Sequence, residues 1–378
     1  MDTIKVSNLI SDFTAAFDEC RIHEAAKLLE EFIINFLSQT YIPIVRNDLW
    51  DDNQESWERR ISVYSVLNHI LKNLDIMLHP ISPFVTEYLY LMCFRDKESV
   101  MLEKWPMLDN DYVDRDVEAG FDLLKKIISL SNAARMKSKL KRRWPINEVQ
   151  VFSNDIRLIN NPDLMGILRN QINAQNCRLI EIPPFKSQTS KLNSLIAKGA
   201  PIKVEMHILT KSVAPRVRSK ITPLIQHFEE IDKINVLRSL DADGKITVNI
   251  LDEMIELRES DLVMEYSPLE GYTSVELDGL IVFISTTRSD HLIKMGFLRD
   301  LARNLQQLRK EHGRNPTEIL PVAHVAGLNE SEMKDLSQLK DELKFLVRVN
   351  EIMFSLNALG GISYKTIDLG GRQFLISI

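Results

Sequence analysis

With 378 residues, 44% hydrophobic and 26% charged, the chain has the make-up of an ordinary globular protein of two or three domains, and its aliphatic content excludes disorder over most of its length. A net charge of -6 argues against indiscriminate nucleic-acid binding but says nothing of a local basic patch. Three scattered cysteines, Cys20, Cys93 and Cys177, exclude a disulfide framework and a four-ligand zinc site, and point to a reducing, cytoplasmic setting. No signal peptide is visible, and no apolar run reaches the roughly 18 residues that would span a bilayer.

The first part reads as helices. Ala25, Leu28, Leu29, Phe32, Ile33, Phe36 and Leu37 follow the spacing of a one-sided apolar stripe, and Val63, Val66, Leu67, Ile70, Leu71 and Leu74 repeat it. Pro80 and Pro83 break the chain before a helix over 84–92, and Asp109 or Asp111 caps a long helix from about Val113 towards Leu140. With no strand signal before Trp144, this is an antiparallel helix bundle. After Pro145 the pattern changes. Strands are expected near 149–152, 178–182, 204–209, 246–250, 263–266, 274–277 and 280–284, the last two joined by an Asp278-Gly279 turn. Helices are expected over 164–172, 219–230 and 232–240, whereas 185–200 gives no decisive signal. Asp290 opens an amphipathic helix that ends near His312-Gly313. Strands near 320–325 and 351–355 flank a helix over 336–346, and two strands close the chain at 362–367 and 372–378. The expected fold is therefore multidomain, α and α+β, with a bundle over 1–145, a mixed α/β domain over 146–285 and a smaller α/β subdomain over 286–378. No internal repeat is evident.

Catalytic signatures are missing: no P-loop, no G-x-G-x-x-G, no H-E-x-x-H. What remains is charge. Arg135, Lys137, Lys139, Lys141, Arg142 and Arg143 form a run with no acidic interruption, followed by Trp144-Pro145, at the end of the long helix. Clustered cations match a phosphate backbone and an adjacent aromatic can stack on an unpaired base; the plainer reading is a solvated helix end matched to its dipole. Lys211, Arg216, Arg218 and Lys220, and Arg299, Arg303, Lys310 and Arg314, are weaker patches for which a solvated face is the default.

Several segments, in order, resemble the anticodon-binding bundle of the isoleucyl-tRNA synthetase family, a class I aminoacyl-tRNA synthetase. Glu30-Glu31-Phe32-Ile33 leads to Leu37-Ser38, Tyr41-Ile42-Pro43, Arg46 and Trp50. His79-Pro80-Ile81-Ser82-Pro83-Phe84 with Glu87 and Tyr90 resembles the family's P-x-x-P-F-x-x-E-x-x-Y corner. Ser99-Val100, Leu102 and Trp105-Pro106 follow, and Arg143-Trp144-Pro145 closes the bundle. Gly296-Phe297-Leu298-Arg299-Asp300 through Arg309-Lys310 is similar to a late helix of the archaeal and eukaryotic-like branch. Asn47 and Asp48 stand where the family often carries further arginines, and its H-I-G-H and K-M-S-K-S motifs are absent.

The resemblance implies a fragment that docks the anticodon stem-loop of isoleucine tRNA beside its own catalytic domain, which would lie outside this chain together with its ATP and Mg. No cofactor, metal or membrane is implied for the fragment itself, and alone it would be inactive. On this reading Arg135, Lys139, Lys141, Arg142 and Arg143 hold phosphates, while Arg46, Trp50 and Trp144 lie near bases; both tryptophans could equally be core. The rivals are a valyl- or leucyl-tRNA synthetase bundle, a helical protein–protein scaffold, and a stand-alone RNA-binding factor.

Overall fold

The computed structural model describes residues 2–50, 57–107, 115–155, 161–251, 253–315 and 318–378. It divides into two compact units, Met1–Asp122 and Leu123–Ile378. That boundary falls inside a helix rather than at Pro145, and no second boundary appears near 286.

The first unit is helical: α1 (Asp2–Asp18), α2 (Ile22–Glu31), a π-helical segment (Phe32–Tyr41), α3 (Ile42–Trp50), α4 (Trp57–Leu78), α5 (Pro83–Cys93) and the start of α6 (Arg115–Lys137). The stripes read from the sequence face inward, and Phe13, Leu29, Ile70, Tyr90 and Phe121 are buried. The proline corner has a structural purpose. Pro83 opens α5 at a position where its missing N–H costs nothing. One turn on, Glu87 accepts from the Ser99 hydroxyl at 2.9 Å and the Val100 N–H at 3.2 Å. Tyr90 accepts from the Lys97 N–H at 2.9 Å and donates to Glu103. Glu87 and Tyr90 thus fasten the loop that carries Ser99-Val100. The opposite face of α5 is bare, with Phe84 90%, Tyr88 64% and Met92 68% exposed.

The second unit begins with the rest of α6, then β1 (Ile146–Ser153), α7 (Pro162–Ile172) and β2 (Ala174–Glu181). An excursion follows: α8 (Gln188–Ala197), β3 (Ile202–Ile208), α9 (Thr210–Val217), α10 (Ile221–Glu230), α11 (Lys233–Asp243), β4 (Lys245–Ile250), β5 (Glu253–Arg258) and β6 (Leu262–Pro268). Its own core gathers Leu192, Val213, Leu224, Phe228, Leu237 and Leu257. The chain returns as β7 (Tyr272–Leu277) and β8 (Leu280–Ser285). Next come α12 (Asp290–Glu311), β9 (Leu320–Ala326), α13 (Glu330–Gln338), α14 (Lys340–Val347), β10 (Val349–Ser355), β11 (Lys365–Leu369) and β12 (Arg372–Ser377). Ser289 rather than Asp290 caps α12, accepting from the Leu292 N–H.

Contrary to the sequence reading, the unit contains a repeat. One sheet runs β2-β1-β8-β7 and the other β10-β9-β12-β11. In each, the first two strands of the copy pair in parallel and a closing hairpin adds antiparallel to the central strand. In each, the leading helix ends the same way. At matched spacing stand a buried arginine (Arg135, Arg309), a left-handed residue (Lys139, Gly313) and the first strand residue (Ile146, Leu320). Leu140 N–H donates to Arg135 C=O at 2.8 Å, and Arg314 N–H to Arg309 C=O at 3.1 Å, closing a Schellman cap on both helices. The copies differ in the link across the sheet: residues 356–364 in the second, the whole excursion in the first.

Candidate nucleic-acid interface

The basic run does not form one ridge. Arg135 continues the stripe of Leu124, Ile127, Ser131 and Ala134 and is 1% exposed. One guanidinium nitrogen donates to the carbonyls of Lys141 and Trp144 at 3.1 and 2.8 Å; the other donates to those of Ile172 and Asn173 at 2.8 and 3.1 Å. Its planar fork pins the loop before β1 to the end of α7. Burial, with Arg142 and Arg299 adding repulsion, lowers its pKa to about 10. The assignment of Arg135 to phosphates is therefore corrected: no N–H faces outward. Arg309 repeats the arrangement, donating to Asn315, Glu318, Val347 and Arg348 carbonyls.

Lys141 and Arg143 share one carboxylate, Asp300 of α12, with Lys141 at 2.8 Å. Burial works against the charge on Asp300, but Arg143, Lys141 and the Trp144 indole outweigh it and hold its pKa below the ordinary range. These two cations are spoken for, which corrects their reading as free phosphate contacts. Trp144 is half-buried and lies flat on α12: a Cβ on Gly296 would come within 2.5 Å of the indole ring. The core alternative for Trp144 thus describes one of its faces.

Lys139 and Arg142 remain exposed without a carboxylate partner among the described residues, and Lys137 reaches the Ser274 carbonyl at 3.3 Å. Around them the balance stays positive. Arg142, Arg143, Lys141 and Arg299 gather about Asp300, with Arg299 donating to the Arg143 carbonyl at 3.3 Å and to the Asn173 side chain. Arg288 stands 4.9 Å over the Trp144 ring. The other patches are mostly paired: Arg216 with Asp261 at 2.5 Å, Lys220 with Glu253, and Arg314 with Glu318 at 3.7 Å. Lys211, Arg218, Arg303 and Lys310 are exposed.

In the first unit Arg46 is exposed on α3, while the Trp50 side chain lies outside the described residues. The sequence reading missed a second aromatic feature. Trp57, Arg60 and Tyr64 share one face of α4, with the Arg60 guanidinium 5.7 Å from the Trp57 ring and 5.9 Å from the Tyr64 ring. Trp57 is 56% and Tyr64 49% exposed. A W-x-x-R-x-x-x-Y spacing on a helix was the available signal, because i, i+3 and i+7 share a face. Among the described residues no cluster of His, Cys, Asp and Glu could hold a metal ion, and no helix is long and apolar enough to cross a membrane.

Residues 4–151 match the family described as "Anticodon-binding domain of tRNA ligase". The chain is also similar to proteins named isoleucine–tRNA ligase. That of Methanopyrus kandleri is 28% identical over 84% of this chain and 28% of the relative. That of Saccharolobus solfataricus is 25% identical over 99% of this chain and 36% of the relative, and that of Clostridium novyi 29% over 82% and 28%. The chain thus spans about a quarter to a third of the length of the curated relatives it matches.

Proposed function

We propose that this chain is a tRNA-docking part of an isoleucine–tRNA ligase, and that it holds isoleucine tRNA while ATP-dependent aminoacylation takes place in a portion outside it. The carrying observation is the unneutralised positive charge at the end of α6, inside the region that matches the anticodon-binding family. One buried carboxylate faces several cations there, so exposed Lys139 and Arg142 are left to attract phosphate. Backbone contacts of this kind set register, and the Trp57–Arg60–Tyr64 face offers unpaired bases a stacking surface. The revised docking residues are Lys139, Arg142, Arg46, Trp57 and Tyr64. Arg135 acts as a brace, and Lys141 and Arg143 position the loop through Asp300.

The test is a filter-binding competition between isoleucine tRNA and the same transcript with a swapped anticodon, repeated across salt. Tighter binding of the cognate species and a negative salt slope support the proposal; equal binding of both, or a flat slope, removes it.

The bare face of α5 favours one addition. Phe84, Tyr88 and Met92 form an apolar strip that water solvates poorly, and we read it as the surface on which the rest of the parent enzyme packs.

A further inference from the structure

One cavity of the second unit has no part in the docking scheme so far. It holds about 260 Å³ beside α12, between Trp144, Ile293 and Phe297 on one side and Leu336 and Leu339 on the other. Lys294 and Asp335, joined at 2.7 Å, stand at its rim. Its volume falls below the roughly 300–1,000 Å³ of drug-sized sites, so a single flat ring system is the unit that fits. The Trp144 wall is rigid. Its ring rests on the bare backbone of Gly296, and Arg288 and Lys141 stand over it at 4.9 and 5.5 Å. Arg288 is exposed, with no carboxylate partner among the described residues, and Arg142 is two positions from Trp144 in the chain.

We infer that this cavity seats one unstacked base of the RNA whose backbone the neighbouring cations hold; the inference rests on the docking reading above. An apolar slot alone would suit a protein side chain equally well. The cations crowded over the Trp144 ring decide between the two, because a protein side chain leaves them uncompensated. A nucleotide answers both demands at once: its base enters between aromatic walls, and its flanking phosphates lie on Arg288 and Arg142. The Lys294–Asp335 pair at the rim then meets the polar edge of the base, giving a donor and an acceptor where an apolar ring would have no use for either.

The experiment uses the whole chain and a set of isoleucine tRNA transcripts, each lacking one base in a single-stranded segment. One abasic position is expected to lose roughly 10-fold in affinity, the scale of one base–aromatic stack. Ile293→Trp plugs the mouth of the cavity from a position that is 45% exposed, so the fold tolerates it. In that variant the penalty at the same position should vanish while the salt slope and melting temperature stay unchanged. A penalty that persists in Ile293→Trp, or an abasic scan flat throughout with salt-dependent binding intact, overturns the cavity assignment and leaves the docking reading standing. Absence of salt-dependent binding by the wild-type chain overturns the docking reading and this assignment together.

Discussion

Arg135 is where charge and architecture make opposite forecasts. If it were a phosphate contact, Arg135→Met would weaken RNA binding and spare the fold; the structure requires the reverse. Four N–H···O=C contacts reach four carbonyls in two separate segments. At roughly 1.5–3 kcal/mol for each hydrogen bond to a charged group, the gross contribution is about 6–12 kcal/mol. Against it stands the desolvation that lowers the pKa from 12.5 to about 10, a cost of about 3 kcal/mol at 1.4 kcal/mol per unit. Truncation therefore costs about 3–5 kcal/mol, the lower part of the difference, because carbonyls at the exposed edge of the loop recover water. In a unit of this size that lowers the melting temperature by roughly 10 °C. Calorimetry of the whole chain reads it, and Arg309→Met should behave alike because Arg309 braces the second copy in the same manner. Arg142→Ala is the counterpart: stability within about 0.5 kcal/mol, and a salt slope of tRNA binding shallower by about one. An unshifted melting temperature for Arg135→Met, combined with a shallower salt slope, would refute the brace.

Lys139 occupies a left-handed position at φ 57° that Gly313 fills in the second copy, so Lys139→Gly should raise stability by about 1 kcal/mol in denaturant melts while still losing one phosphate contact from the salt slope. Gly296→Ala should cost about 1–3 kcal/mol, measured the same way, because the added methyl meets the Trp144 ring. Burial, with the charge of Glu87 beside it, pushes Asp75 up to about 6, so the folded state binds a proton more readily than the unfolded one between pH 4 and 6. Its contribution is thus favourable at low pH and lost as pH rises through 6. The first unit should melt higher at pH 5 than at pH 7, and Asp75→Asn should abolish that difference while gaining about 2–3 kcal/mol at pH 7. Glu103 acts in the opposite sense: hydrogen bonds from Tyr90, Lys72 and Lys97 hold it at about 2, so its contribution fades only as pH falls below the ordinary carboxylate range, outside the window of that comparison.

The helices were legible because their apolar stripes repeat over several turns, and most strands because alternation survives in short apolar runs. β5 was not legible: Glu253, Glu256 and Glu259 surround its two inward residues, Ile255 and Leu257, and the segment reads as polar connection. The repeat was hidden because its copies share an arginine, a left-handed residue and strand positions, but few side chains beyond these. In the site, composition revealed that cations cluster but not where they point. Arg135 could have been told apart, since it falls in phase with the buried stripe of α6. The capture of Lys141 and Arg143 by Asp300 could not, because that carboxylate arrives from a helix far along the chain.

The excursion between β2 and β7 is closed at its neck. Ile202 on β3 lies opposite Pro268 on β6, and Leu269 N–H donates to the Pro201 carbonyl at 2.9 Å. Entry and exit therefore sit side by side, and the intervening residues carry a core of their own. Such a segment is detachable in principle: it can be lengthened, exchanged or excised at that neck, and the sheet that bears it is taxed only by the slow, logarithmic entropy of closing a different loop. Divergence in this lineage has a free port there, one that leaves both arginine braces untouched.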